Sequence, residues 1–282
     1  MAGRILLLSD CEGGQSEDAI LAAEFESQGF QTNIVDWKAL GSVIDRVDAA
    51  IVRTTWDYTT QVERFLSFLK TLSARTNLFN PFELIEWNWH KRYLVELLNA
   101  GVAVVPSLVL AEQGHGAVEA GCERLGGAEF VLKRAVGAGG RGMLRFKLQD
   151  LHSQDFSPAF STGSSAILQP FMPAIQSAGE WALVYFEEEL VLSVHKEAAP
   201  GEYLIQRQYG GKETIASPPD EVMALALQVL KLLPVKPLFA RLDILGGATP
   251  AIMEVEVIEP RLYFDAFPQF APQFVRAVLQ RL

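Results

Sequence analysis

The sequence predicts a mixed α/β and α+β fold in three lobes, on three observations. The first 87 residues alternate strands and helices; a strand carrying Lys133 runs into the glycine-rich stretch Gly137 to Gly142; and two apolar runs near the C-terminus carry three acids and an arginine on one hairpin. The expected organisation is an N-terminal lobe over 1–87, a linker helix and small central lid over 88–168, and a C-terminal lobe over 169–282. A chain of 282 residues is long enough to bury a sizeable core in such an arrangement.

In the first lobe, Arg4 to Ser9 reads as a strand, Ser16 to Gln28 as an amphipathic helix stopped by Gly29, and Gln31 to Asp36 as a second strand. Asp48 to Thr54 is a third strand, and Val62 to Ala74 a helix that leads into the strand Asn77 to Phe79. This alternation predicts a parallel sheet, whose ligands sit beyond the carboxyl ends of the strands. Cys11 to Gly14 and Arg53 to Tyr58 therefore point at one crevice. Arg53, Trp56, Asp57 and Tyr58 form a polar and aromatic cluster suited to an amino-acid-like substrate, arginine gripping a carboxylate and Asp57 an ammonium. An equal reading makes Asp57 or Thr60 a helix N-cap. Glu17 and Asp18 read as charges matched to the dipole at a helix start.

The central lid is expected to take strands from Val102 to Leu110, Phe130 to Arg134 and Met143 to Phe146, with a helix near Gly116 to Arg124. Glycines let backbone amides approach an oligophosphate, and Lys133 supplies a point charge. Residues 137–142 formally match G-x-G-x-x-G, yet the dinucleotide version requires a helix after the loop, and here the exit is a strand. A Walker A loop is excluded because no Gly-Lys-Ser/Thr ends the run; a plain hairpin turn is the bland alternative.

In the last lobe, Trp181 to Glu197 reads as a hairpin, Pro219 to Leu232 as a helix and Phe270 to Leu282 as a closing helix. The second hairpin pairs Leu238 to Leu245 with Ala251 to Ile258 across Gly246 to Pro250. Residues two apart on a strand share a face, so Glu254 and Glu256 point the same way and Asp243 meets them from the partner strand. Facing carboxylates repel unless a hard cation joins them, which predicts magnesium and, with it, phosphate oxygens. The alternative is a solvated strand face.

Taken in order, these motifs resemble the ATP-grasp enzymes of the glutathione synthetase and D-alanine ligase kind over most of the chain. The resemblance implies an ATP-grasp fold with an N-terminal Rossmann-like pre-ATP-grasp lobe, a small central lid and a C-terminal lobe, with ATP between the last two. It implies that Lys91, Lys133 and Lys196 contact phosphates along with Gly137, Gly139, Gly140 and Gly142, and that Gln169, Phe171 and Met172 hold adenine. Glu180 would bind the ribose, Arg241 would be catalytic, and Asp243, Glu254 and Glu256 would hold one or two Mg2+, with Mn2+ an alternative. Glu256 stands where these families commonly have Asn, and Leu204 where relatives often have arginine, with Arg207 a candidate replacement in substrate binding. Arg53 to Tyr58, Asn88 to Tyr93 and Glu256 to Pro260 further resemble a smaller group that includes D-cycloserine synthetase-like proteins.

The implied reaction is ATP-dependent activation of a carboxylate-like group of a small amino-acid-type substrate as an acyl phosphate, which a nitrogen nucleophile displaces, leaving ADP and phosphate. Its rivals are a small-molecule kinase and a nucleotide-binding regulator without turnover. A net charge of −10 argues against a general nucleic-acid partner. The apolar run near Met1 is too brief for a signal peptide and no stretch reaches a spanning length, so no membrane partner and a cytoplasmic location are expected. The expected partners are small molecules, with a homodimer left open. Cys11 and Cys122 form no metal pattern and are expected as free thiols. His195 beside Lys196 is either a base or a packing residue, and His90 is expected at a helix start.

Overall fold

The parallel sheet expected at the N-terminus is present. In the computed structural model, which describes residues 3–11, 14–39, 47–160, 165–199, 201–202, 205 and 210–282, it consists of Arg4–Ser9 (β1), Gln31–Asp36 (β2), Ala49–Thr54 (β3) and Asn77–Phe79 (β4). Their order is β2-β1-β3-β4, all parallel. Strands covered on both faces read as continuous apolar runs rather than alternations, which is why β1 and β3 are almost wholly hydrophobic. Ile5, Leu7, Ala49 and Ile51 meet Leu21 and Phe25 of Ser16–Ser27 (α1) on one face. Leu6, Leu8, Ala50 and Val52 meet Phe65, Leu69 and Leu72 of Val62–Ser73 (α2) on the other.

Two short helices, Phe82–Asn88 (α3) and Tyr93–Asn99 (α4), lead out of this lobe. The central sheet is antiparallel, in the order β5-β8-β6-β7. It is made of Leu108–Leu110 (β5), Glu129–Arg134 (β6), Leu144–Lys147 (β7) and Ala166–Pro170 (β8), with His115–Leu125 (α5) and the one-turn Ser157–Phe160 (α6) packed on it. The strand expected from Val102 is shorter. Pro106 has no N–H to give a ladder, and before it Val104 and Val105 bridge instead to Ile252 of the C-terminal lobe, Val105 N–H donating to the Ile252 carbonyl at 3.0 Å.

The C-terminal sheet has the order β11-β10-β9-β12-β13, antiparallel throughout. After the single turn Ala174–Ser177 (α7) come Glu180–Phe186 (β9), Glu189–Glu197 (β10) and Lys212–Ile215 (β11), then Asp220–Leu232 (α8), Phe239–Leu245 (β12), Ala251–Glu256 (β13) and Ala271–Leu279 (α9). One face, with Leu183, Tyr185, Leu242, Ile244, Ile252 and Val255, packs on α4 and α8. The opposite face, with Ala182, Val184, Phe186 and Phe239, packs on α9 and on the parallel sheet. The strand expected to reach Ile258 stops at Glu256 because two asparagines take over its backbone groups. Asn88 Oδ1 accepts the Val257 N–H at 3.2 Å, while Asn80 Nδ2 donates to the Val257 carbonyl at 2.8 Å. Asn88 Nδ2 also donates to the Val255 carbonyl at 2.8 Å, so the N-terminal segments are tied to β13. Among the described residues, no helix is long and apolar enough to cross a membrane.

Candidate active site

The register of the last hairpin puts the acids and the arginine together. Arg241 lies opposite Glu256 and Asp243 opposite Glu254, all four on the sheet face away from α8. Asp243 is met from one side by the guanidinium of Arg241, whose Nε and Nη2 donate to its two oxygens at 2.9 Å each. Nη2 of Arg241 also pairs with Glu256, and Nη1 donates to the Arg261 carbonyl at 3.1 Å. Arg241 and Asp243 are both buried.

Three lysines converge on this face from different elements. Lys196 of β10 sits across from Glu180 of β9 and donates to its carboxylate at 2.7 Å, with Asp243 at 3.6 Å. Burial works against the Lys196 ammonium, but the Asp243 and Glu180 carboxylates override it and hold its pKa above the ordinary lysine value. Lys91, in the turn before α4, pairs with Glu254 and donates to the Gly137 carbonyl at 2.9 Å, so it links the glycine loop to the hairpin. The side chain of Lys133, on β6, makes no hydrogen bond or ion pair among the described residues. Burial lowers its pKa, against the pull of Glu254. The loop after it needs its glycines: Gly139 and Gly142 have φ of 64° and 72°. A Cβ at Gly142 would also stand 2.5 Å from the Pro158 carbonyl. A strand, β7, follows the loop, as its sequence predicts.

Where the two antiparallel sheets meet, Val105, Val131, Phe171 and Leu245 form an apolar cluster with Met143, Met172 and Met253 packed against it. Phe171 lies under the Arg145 guanidinium, 3.6 Å from its ring centre, and its N–H donates to the Glu129 carbonyl. Gln169 is buried, its Nε2 donating to Ser107 at 2.8 Å. Glu180, expected at a ribose, is buried against Lys196 in this structure.

The N-terminal cluster departs from expectation. Arg53 does not face an open crevice: its side chain is 0% exposed, pairs with Glu17 at 3.2 Å, donates to the Pro260 carbonyl and lies over the rings of Phe239 and Phe274. Asp57 is held by Lys38 and accepts from Trp37 Nε1 at 2.8 Å. It caps no helix, since α2 starts after Gln61 without a side-chain cap. Trp56 Nε1 donates to the Glu259 carbonyl at 3.2 Å, and the hydroxyl of the buried Tyr58 lies beside the Glu259 carboxyl. Glu17 and Asp18 lie in the first turn of α1, as expected, and Asp18 completes a capping box with Gln15. Both are buried, Glu17 accepting the Leu262 and Phe264 amides and Asp18 the Gln15 amide at 2.8 Å. Apolar spacing has no way to register such buried polar contacts across the chain. Arg207 lies outside the described residues, as do Leu204, Glu12 and Gly13.

His195 packs on Trp181 and its Nε2 contacts the Ala178 carbonyl at 2.9 Å, a packing role. His90 Nδ1 accepts the Arg92 N–H, and burial pushes the ring's pKa down to about 4, so it is neutral near pH 7. Cys11 and Cys122 are free thiols. Burial raises both, Cys122 to about 11, which leaves little thiolate for nucleophilic chemistry.

Asp243, Glu254 and Glu256 offer only hard oxygen donors, the chemistry of a magnesium site. Burial raises the Glu256 pKa, and the carboxylates of Asp243 and Glu254 add to this against Arg241. Glu259, which sequence reasoning met only as part of a longer motif, is pushed by burial and then by Glu256 from 4.5 to about 8. A divalent cation fits the donor type and would relieve the mutual repulsion of Asp243, Glu254 and Glu256. Among the described residues no three such groups surround one point, because Arg241 stands between Asp243 and Glu256 while Lys91 caps Glu254. The raised Glu259 has a measurable consequence. Its folded form keeps a proton that the unfolded chain releases above about pH 4.5, so stability declines as pH rises from there through about 8. Between pH 6.5 and 8 Glu259 is expected to contribute about 2 kcal/mol to this loss, the share that Glu259→Gln removes. Urea midpoints that stay flat over that range in the wild type would contradict the assigned environment.

Residues 5–80 match the family profile described as D-cycloserine synthetase DcsG, N-terminal domain. The cycloserine biosynthesis protein DcsG of Streptomyces lavendulae is 28% identical over 269 residues, covering 90% of each chain. The crystal structure of D-cycloserine synthetase DcsG superposes with a TM-score of 0.83 at 25% identity over 99% of both chains. An ATP-grasp RimK domain protein from Sphaerobacter thermophilus does so with a TM-score of 0.73 at 20% identity, over 98% of this chain and 99% of its own. The parallel sheet and the two antiparallel sheets make up the fold shared with these proteins, and the chain has the ATP-grasp fold, similar along nearly its whole length to D-cycloserine synthetase DcsG.

Proposed function

We propose that the protein is an ADP-forming carbon–nitrogen ligase that activates the carboxylate of a small amino-acid-type substrate and joins it to a nitrogen nucleophile. The observation that carries this reading is the meeting of Arg241, Asp243, Glu254 and Glu256 on one sheet face with Lys91, Lys133 and Lys196. A site that only stored a nucleotide would have little use for a buried guanidinium among the acids. The likeness to D-cycloserine synthetase supports an amino-acid-type substrate.

In this reading a substrate carboxylate oxygen bonds to the γ-phosphorus of ATP as the bond to ADP breaks, and the nitrogen then adds to the acyl carbon as phosphate leaves. Such chemistry is mainly positioning and charge neutralisation. Lys133, the one of the three lysines without a protein partner among the described residues, is free to meet a phosphate; Lys91, Lys196 and the loop Gly137, Gly139, Gly140 and Gly142 complete the cradle. The apolar cluster around Phe171 and Met172 takes the adenine ring, with Gln169 at its rim and Glu180 toward the ribose. Asp243, Glu254 and Glu256 would hold Mg2+, one or two ions, which supplies neutralisation of phosphate charge. Arg241 stabilises the oxyanion of the tetrahedral intermediate. Trp56 and Tyr58, which reach the Glu259 segment, remain on the substrate side, whereas Arg53 and Asp57 serve the framework.

The test is Mg-ATP turnover across amino acids and simple amines, reading ADP, free phosphate and coupled product together. A ligase yields all three in equal amounts. A phosphorylated substrate without free phosphate would establish a kinase, and binding without ADP formation a regulator.

A further inference from the structure

Tyr263, in the segment between β13 and α9, has φ of 65°, the left-handed region that a side-chain-bearing residue rarely adopts. Such a conformation persists only where its surroundings impose it. The restraint comes from the opposite end of the chain. Glu17 on α1 accepts the N–H of Leu262 at 3.1 Å and of Phe264 at 2.8 Å, the residues on either side of Tyr263. Arg53 on β3 holds that same carboxylate and also donates to the Pro260 carbonyl at 3.3 Å. The side chains of Leu262 and Phe264 are buried in the core under the parallel sheet.

The tyrosine thus fixed is itself buried, and its hydroxyl faces Lys196, whose ammonium is 5.9 Å from the ring centre, with Arg241 and Asp243 next to it. Arg261 covers the ring at 4.7 Å, and the carbonyl of Arg261 accepts from Arg241 Nη1. One backbone segment, clamped by the N-terminal lobe, therefore touches two cations of the site in the C-terminal lobe.

We propose that Tyr263 is a positioning residue for the Lys196 ammonium and that Glu17, from the N-terminal lobe, holds it there. This rests on the reading of Lys196 as a phosphate contact. An ammonium has three protons to place and no acceptor of its own. Here Glu180 takes one at 2.7 Å and Asp243 lies at 3.6 Å, while the Tyr263 hydroxyl, on the ring 5.9 Å from the ammonium, is placed to act as a further acceptor that keeps the head group on this face and leaves a donor for the nucleotide. The N-terminal lobe, to which no phosphate contact is assigned, would in this way set the geometry of one.

Tyr263→Phe tests this because it removes the hydroxyl and keeps the ring. The expected result is a dissociation constant for Mg-ATP weakened about 10-fold, with an equal fall in kcat/KM for ATP. The KM for the second substrate should stay within about twofold and the melting temperature should change little. Glu17→Gln should act in the same direction. The double variant Glu17→Gln/Tyr263→Phe should bind ATP no worse than the weaker single variant, since both changes act through one contact. If Glu17→Gln does not fold, Tyr263→Phe decides alone. Wild-type ATP affinity and kcat/KM in Tyr263→Phe, or a double variant whose loss is the product of the two single losses, would overturn the inference while leaving the proposed function intact. Absence of Mg-ATP binding by the wild type would overturn the proposed function, and this inference with it.

Discussion

Arg241→Lys leaves Mg-ATP binding near the wild-type level and lowers turnover by about 100- to 1000-fold, the cost of about 3–4 kcal/mol expected when a donor to a developing oxyanion is lost. Lysine keeps the positive charge that balances Asp243 and Glu256 but has no planar fork. In the wild type that fork places Nε and Nη2 on the two oxygens of Asp243 and Nη1 on the Arg261 carbonyl, so the guanidinium plane is set by three partners. The same contacts mean the variant also loses some stability, of order 1–3 kcal/mol. The two effects separate when affinity, melting temperature and turnover are measured on one preparation. Near-normal turnover in the folded fraction, with stability alone impaired, would make Arg241 a structural residue and favour a binding protein without catalysis.

Arg53→Ala lowers folding stability by about 3–5 kcal/mol, because it leaves the Glu17 carboxylate buried without its cation. The loss is aggravated by the empty space between the rings of Phe239 and Phe274, which the guanidinium now covers. Read from sequence, Arg53 is equally well a clamp for a substrate carboxylate, and that role predicts a different result. A substrate clamp would raise the KM of the carboxylate substrate with stability unchanged. Urea midpoints and that KM, taken side by side, choose between the two.

The contrast between Arg53 and Arg241 shows what was legible in the chain. Arg241 lies two residues from Asp243, and strand alternation alone puts both on one face, with Glu254 and Glu256 brought opposite by a short hairpin. Lys133 and its glycine loop are local in the same sense, and the parallel sheet follows from apolar runs separated by helical periods. Arg53 instead acts through Glu17, 36 positions earlier, and Pro260, 207 positions later. No local period encodes such partners. Tyr263 is less visible still, since nothing in Arg261-Leu-Tyr-Phe marks a left-handed residue, and its neighbour Leu262 is held by Glu17, 245 positions earlier. The early end of β13 belongs to the same class, because side chains of α3 and the segment before it, not turn residues, terminate the ladder.

If the hairpin acids and the nucleotide share a divalent cation, the stability gained from ATP depends on Mg2+, and comparing that gain with and without the metal is the most direct measurement. At a ligand concentration 100 times the dissociation constant the wild type should gain about 2.7 kcal/mol from Mg-ATP. Most of that gain should disappear without magnesium. It should likewise disappear in Asp243→Asn and in Glu254→Gln, each compared with its own nucleotide-free form, because phosphate charge then faces the remaining carboxylates unneutralised. A gain of the same size in all three proteins, indifferent to magnesium, would contradict the assignment of the hairpin as the metal and phosphate site.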